Sequence, residues 1–303
     1  MNPIRITVFA LSIIIAMPVL SYAKGKSAAD SGGPIVERSV TLPGSLPASI
    51  TVIAPGNRAG ATAAINNAVN EAKAIATMFD PSNAGSEITQ ININAATAPY
   101  KISPEFGRLL ELALNVNDWT HGAFDITGNG DSRKVKYSKK EGTVFFKKPD
   151  IKINMIGILS GYLADLMTQS LYNSGNTSNL MVTVNGVSRS IGQNTIGPWR
   201  VDVSEDNGKL AQRGLSLSFS GLSVAIVGAG HSMPLLDPRN QSPLTTNLKA
   251  VTLLGRDAAT TQSIATAMYV LGINGAKNLA AELQGMRYVL LDENGNMIKS
   301  PGL

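Results

Sequence analysis

The stretch Ser103 to Asp125 (SPEFGRLLELALNVNDWTHGAFD) constrains this chain more than any other. Phe106, Leu109, Leu110, Ala113 and Val116 recur at the spacing of one helical face. Leu112 and Leu114 lie off that face, so the helix is expected to be buried on more than one side. Ser103 is an N-cap residue, Pro104 fits the first helical position, and Glu105 favours the positive end of the helix dipole. His121-Gly122 tolerates positive φ, so the helix should end near Thr120 and the chain should turn into Ala123-Phe124-Asp125. Two readings stay open at this point. The segment is an ordinary core helix with its exit turn, or it is a binding loop held by a rigid element.

Length limits the architecture. The chain has 303 residues, 44% hydrophobic and 16% charged, enough for one large or two modest domains. Arg5 followed by the apolar run Ile6 to Leu20 and by Ser21-Tyr22-Ala23 reads as a secretory signal over residues 1–23, too short for a membrane span. Residues 24–40, small and polar at their start, read as a flexible leader, and 41–303 as the folded domain. No other stretch is long and apolar enough to cross a bilayer. The expectation is an exported, periplasmic protein.

Several function classes drop out. There is no cysteine, so disulfides, thiol catalysis and a lipid-anchored cysteine are excluded. The formal charge is +5, yet Lys and Arg are scattered. The run Arg133-Lys134-Val135-Lys136 with Lys139-Lys140 reads as a solvated hairpin face, with no interleaved aromatics, so nucleic acid is not an expected partner. The two histidines, His121 and His231, are too few for a histidine-rich metal site. No nucleophile elbow, P-loop or dinucleotide fingerprint occurs.

The remaining segments mix strands and helices without regular alternation. Ala48–Ala54, Gly142–Phe146, Ile151–Asn154, Met181–Val184, Pro198–Val203, Leu215–Phe219, Leu222–Val227, Asn247–Leu254 and Tyr288–Leu291 read as strands. Ala61–Phe79, Gly161–Tyr172, Asp257–Leu271 (capped by Gly272) and Ala276–Leu283 read as helices. The pattern argues an α+β fold.

Ser103–Asp125 resembles the central helix and Gly-Ala-Phe-Asp loop of the FAD:protein FMN transferases, the ApbE family. Other segments follow in family order. Ser86 to Asn92 is similar to the family's SELSRLN, and Asn154 to Asp165 to its DLGGIAKGYAVD turn. Asn185-Gly186 with Arg189 and Gly192 resembles its NxGGxIxxxG strand pair, with Gly197 to Val201 matching the strand that follows. Leu236-Asp237-Pro238-Arg239 is similar to HIIDPxTG, and Thr261 to Met268 to ADAxxTAL.

The resemblance implies a duplicated α+β architecture with mixed sheets flanked by helices. It implies an exported enzyme that binds FAD and Mg²⁺, splits the pyrophosphate and attaches FMN to a Thr of a partner flavoprotein. Carried over residue by residue, Ala123, Phe124, Asp125, Asn154, Ser160, Asp165 and Leu236 fall at cofactor positions. Gly157, Gln262, Ala265 and Thr266 fall at metal positions.

The chain departs from the family pattern at several of these. Gln262 stands for the metal Asp, Asn154 for the opening Asp and Ser160 for a Lys or Glu. Ser82 stands near the flavin-stacking aromatic, and Pro234 for the His, with His231 displaced. Val227-Gly228 stands for a Ser-Gly pair. Each retained residue also has a plain reading: Asp125 and Asp237 as turn residues, Asp165 on a solvated helix face, and Phe124 and Thr266 as core. Two functions follow: a transferase with an atypical metal site, or a non-catalytic family member that binds flavin or serves as a scaffold in an exported redox system.

Overall fold

The chain begins its sheet with two long strands, β1 (Ile35–Leu42) and β2 (Leu46–Ile53), paired antiparallel across a Gly44-Ser45 turn. The computed structural model describes residues 34–202, 216–228, 236–284 and 286–303. β1 takes in residues 35–40, which the sequence reading leaves in the leader. Val36 and Leu42 turn inward there, and apolar residues at even spacing suit a half-buried edge strand. Residues 1–23, expected to be a secretory signal, lie outside the described residues.

Three helices follow: α1 (Arg58–Met78), α2 (Glu87–Asn94) and, after the short strand β3 (Tyr100–Lys101), α3 (Pro104–Trp119). The Ser103 hydroxyl caps α3 by accepting from Phe106 N at 3.1 Å. Phe106, Leu109, Leu110, Ala113 and Val116 are all buried, as their spacing predicts. His121 and Gly122 close the helix at φ 51° and 81°. α2 is a helix where the sequence offers only a short polar-apolar segment. Ser86 caps it, and its first-turn Glu87 accepts from Ser103 N at 2.5 Å and Ser103 Oγ at 2.7 Å, tying α2 to the start of α3. Phe79, at the end of α1, stacks on Phe106 with ring centroids 4.8 Å apart.

Strands β4 (Val135–Ser138) and β5 (Thr143–Phe146) form the basic hairpin, completed by β3. Its charges are not all solvated singly: Lys134 and Lys148 both pair with the buried Asp131. The expected strand over Ile151–Asn154 is not formed. The Asn92 side chain takes the part of a neighbouring strand, accepting from Ile153 N at 2.8 Å and donating to Ile153 O at 2.9 Å. With the Ile153 backbone satisfied by an amide, the segment runs without a ladder into α4 (Ile156–Asn173), which starts five residues earlier than expected.

β6 (Leu180–Val184) and β7 (Val187–Ile191) form a hairpin through Asn185-Gly186, and β8 (Trp199–Asp202) pairs with β9 (Ser216–Phe219). The ends of two expected strands, Val203 and Leu215, lie outside the described residues. β10 (Ser223–Gly228), β11 (Leu248–Gly255), the long helix α5 (Ala258–Glu282), β12 (Arg287–Asp292) and β13 (Met297–Lys299) complete the chain.

Among the described residues the main sheet has eight strands in the order β1-β2-β6-β7-β10-β11-β12-β13, every pair antiparallel. Helices α1, α3, α4 and α5 share one core with the face bearing Ile50, Val182, Ala225 and Leu253. The opposite face buries Val224, Leu254 and Val289 beneath Trp199, Leu217 and Phe219 of the β8–β9 ribbon. Burial on both faces explains why β10 and β11 read as continuous apolar runs rather than alternating ones. The α+β class expected from the sequence is the class observed. No helix among the described residues is long and apolar enough to cross a membrane.

Candidate functional site

The exit of α3 is built by two polar residues on its buried face. Thr120 Oγ1 donates to Val116 O at 2.7 Å and accepts from Phe124 N at 3.1 Å. Asn117 Nδ2 donates to Phe124 O at 2.7 Å and to Asp125 Oδ2 at 3.3 Å. Asp125 Oδ1 accepts from Thr127 N at 2.7 Å and from the Thr127 hydroxyl, and its Oδ2 accepts from Ser132 N at 3.3 Å. Asp125 is thus an Asx-turn residue whose two oxygens are engaged in shaping its own loop. Phe124 and Ala123 are buried beneath it.

α4 and α5 run antiparallel, and their contacts step along both helices one turn at a time. At the start of α5, the Asp165 carboxylate accepts from Ala258 N at 2.9 Å (Oδ1) and 2.8 Å (Oδ2) and from Ala259 N at 3.0 Å. One turn on, Gly161 lies so close to the Ala258–Ala259 backbone that a side chain would collide with it. Gln262 then bonds back to α4: its Oε1 accepts from Gly161 N at 2.8 Å and its Nε2 donates to Ile156 O at 3.0 Å. Last, a Cβ on Gly157 would stand 3.6 Å from the Thr266 methyl and 2.9 Å from the Phe124 ring. Gly157 therefore joins three segments: the Phe124 loop, the first turn of α4, and the α5 face carrying Gln262, Ala265 and Thr266.

Asp165 is not a solvated helix residue. Burial pushes its carboxyl up to about 6, against the Ala258 and Ala259 N–H groups that favour the charged form. Arg189 Nε approaches it at 3.5 Å. Asp131, by contrast, is held below its ordinary value by Lys134 and Lys148.

Other sequence-selected residues lie around this junction. Asn154 is exposed; its N donates to Ile126 O at 2.8 Å and its Oδ1 accepts from Ile156 N at 3.3 Å, so it links the Asp125 loop to the start of α4. Ser160 is buried within α4. Leu236 is exposed and bridges Pro243 in a loop whose Asp237 is held by a two-point pair to Arg239, at 2.9 and 2.6 Å. That loop meets the Asp125 loop: Gln241 Nε2 donates to Asn129 O at 2.9 Å. His231 and Pro234 lie outside the described residues. A shallow cleft between α1 and α4, lined by Asn67, Glu71, Gln169 and Asn173, shares no residue with the junction.

The donor set is short of charge. Gln262 spends both ends of its amide on α4, and Thr266 Oγ1 donates to Gln262 O at 3.0 Å. Among the described residues no three Asp, Glu or His side chains gather as a metal-binding group. Asn117, Asn92 and Thr120 shape this region although no motif marks them. Two of them carry a signal in the sequence: Asn117 and Thr120 continue the stripe of Ala113 and Val116, where a polar residue must find a buried partner.

The sequence model of the ApbE family matches residues 45–131 and 129–290. Among curated proteins, the FAD:protein FMN transferase of Klebsiella pneumoniae (strain 342) is 25% identical over 256 residues, spanning 71% of this chain and 73% of that protein. That of Haemophilus influenzae is 22% identical over 260 residues, spanning 71% and 75%. Among solved structures, the flavin transferase ApbE from Vibrio cholerae superposes with a TM-score of 0.74 at 18% identity, covering 88% of this chain and 98% of that one. The ApbE protein of Thermotoga maritima gives 0.74 at 20%, covering 88% and 97%. With a family match over most of its length and a shared fold, the chain belongs to the ApbE family.

Proposed function

We propose that this protein works in protein flavinylation: it takes FAD and passes the FMN part to a threonine of a partner flavoprotein outside the cytoplasm. In that reaction the threonine oxygen bonds to the FMN phosphorus, the pyrophosphate bridge breaks, and AMP leaves. The observation that carries the reading is the meeting of the Phe124 loop, Gly157 and Thr266 at one point, from three segments distant in sequence. A rigid junction of this kind suits in-line phosphoryl transfer, where positioning is most of the catalysis.

Magnesium is the ion expected from family resemblance, and the residues present do not fit it. Mg²⁺ takes hard oxygen ligands, carboxylate among them. Here the amide of Gln262 stands at that position with both ends engaged, beside a neutral threonine. This favours a second reading, in which the protein binds flavin or its acceptor without splitting FAD.

The experiment that tests the first reading is mass spectrometry of a flavoprotein acceptor domain after incubation with the full chain and FAD, with and without magnesium. Transfer adds the mass of FMN, less water, to one threonine peptide. An unchanged acceptor under both conditions would overturn it and leave the second reading.

A further inference from the structure

We propose that Gln262 is a cation-independent clamp, an amide that fastens α5 to the opening turns of α4 where a bound divalent ion would otherwise do so. This goes beyond flavin transfer and stands whether or not FMN moves.

Gln262 is 4% exposed, so its polar atoms need partners within the protein. It finds two, of opposite kind: the Gly161 N–H at 2.8 Å and the Ile156 carbonyl at 3.0 Å. An amide carries both a donor and an acceptor, so it can serve both. A carboxylate in its place has acceptors only. It could hold Gly161, but it would turn a negative charge on the Ile156 carbonyl oxygen, an arrangement that calls for a cation or a proton between them. The amide removes that need.

The surroundings agree. The Thr266 hydroxyl is turned onto the Gln262 carbonyl at 3.0 Å. At Gly161 the two helices touch backbone to backbone. An ion entering here would have to break two buried hydrogen bonds and would gain only neutral ligands. The clamp also backs the Phe124 loop, because the turn it holds carries Gly157 against Phe124.

The test uses the full chain, melted in EDTA and in magnesium, with magnesium binding followed by calorimetry. The expected wild-type Tm is the same in both buffers, with no saturable heat. Gln262→Ala loses both groups, and Gln262→Glu, melted at pH 9 so that the carboxyl is ionised, keeps the size and loses the donor; each lowers the Tm in EDTA by about 5 °C. A saturable rise of the wild-type Tm with magnesium would overturn the proposal, as would variants that melt with the wild type. If neither variant folds, the wild-type magnesium titration decides alone. Failure of FMN transfer with a magnesium-insensitive Tm would count against the transfer reading and leave the clamp standing.

Discussion

Gln262 and Gly161, 101 positions apart in sequence, are joined by a side chain to backbone hydrogen bond of 2.8 Å between two buried helices. It is the middle rung of three. Asp165 holds the start of α5 on one side, and Gly157 meets Thr266 on the other. The polar rungs set the register of the helix pair, and the glycines let the backbones close.

The Asp165 rung makes stability depend on pH. Its folded pKa, about 6, lies above the ordinary value of 3.8, so the folded state holds the proton more tightly. That contribution is complete below pH 3.8 and is lost as pH rises through about 6. The size is on the order of 2 kcal/mol once partial exposure is allowed for. Replacing Asp165 by Asn removes the titration. Chemical denaturation at a series of pH values should show wild type losing stability relative to Asp165→Asn between about pH 4 and 6, with a constant difference above that.

Gly272 divides α5. Its φ of 68° and ψ of −177° belong to a region open to glycine alone, and Asn247 Oδ1 accepts from Ile273 N at 2.9 Å to start the second half. Gly272→Ala should cost about 1–3 kcal/mol in urea unfolding. Asn247→Ala should cost about 1 kcal/mol, as loss of a cap.

Asn117 holds the Phe124 carbonyl and the Asp125 carboxylate from beneath. Asn117→Ala should destabilise the protein by about 1–3 kcal/mol, because it strands buried polar atoms. On the proposed function, in which the Phe124 loop holds flavin, the same variant should weaken FAD binding more than a change of equal stability cost at Gly272, since it frees the loop itself. Fluorescence titration of FAD against both variants checks this.

Glu87 receives two hydrogen bonds from Ser103, at 2.5 and 2.7 Å. Glu87→Ala should lower stability by about 1–3 kcal/mol. It should also loosen the N-terminus of α3, readable as faster amide exchange over Phe106 and Gly107.

Local signals were legible in the chain; partnerships across it were not. α3 could be read to within a residue because its cap, its period and its positive-φ exit all lie within Ser103–Gly122. The kink at Gly272 was marked by the glycine itself. Ile151–Asn154 looked like a strand because its apolar alternation is that of one, and only the distant Asn92 decides otherwise. Asp125 and Asp165 have the same side chain and opposite fates. One folds back on its own loop, and the other caps a helix 93 positions later. Gln262 could be read as a departure from the family's carboxylate, but its two partners on α4 appear only once the helices are packed.

Whether the α4–α5 junction holds a cation is read from an anomalous difference map of a crystal of the full chain grown with manganese, a heavier stand-in for magnesium. No peak is expected within bonding distance of Gln262 and Thr266, with the amide still bridging Gly161 and Ile156. A manganese ion bound between Gln262 and Thr266, with those two hydrogen bonds broken, would contradict the cation-independent clamp.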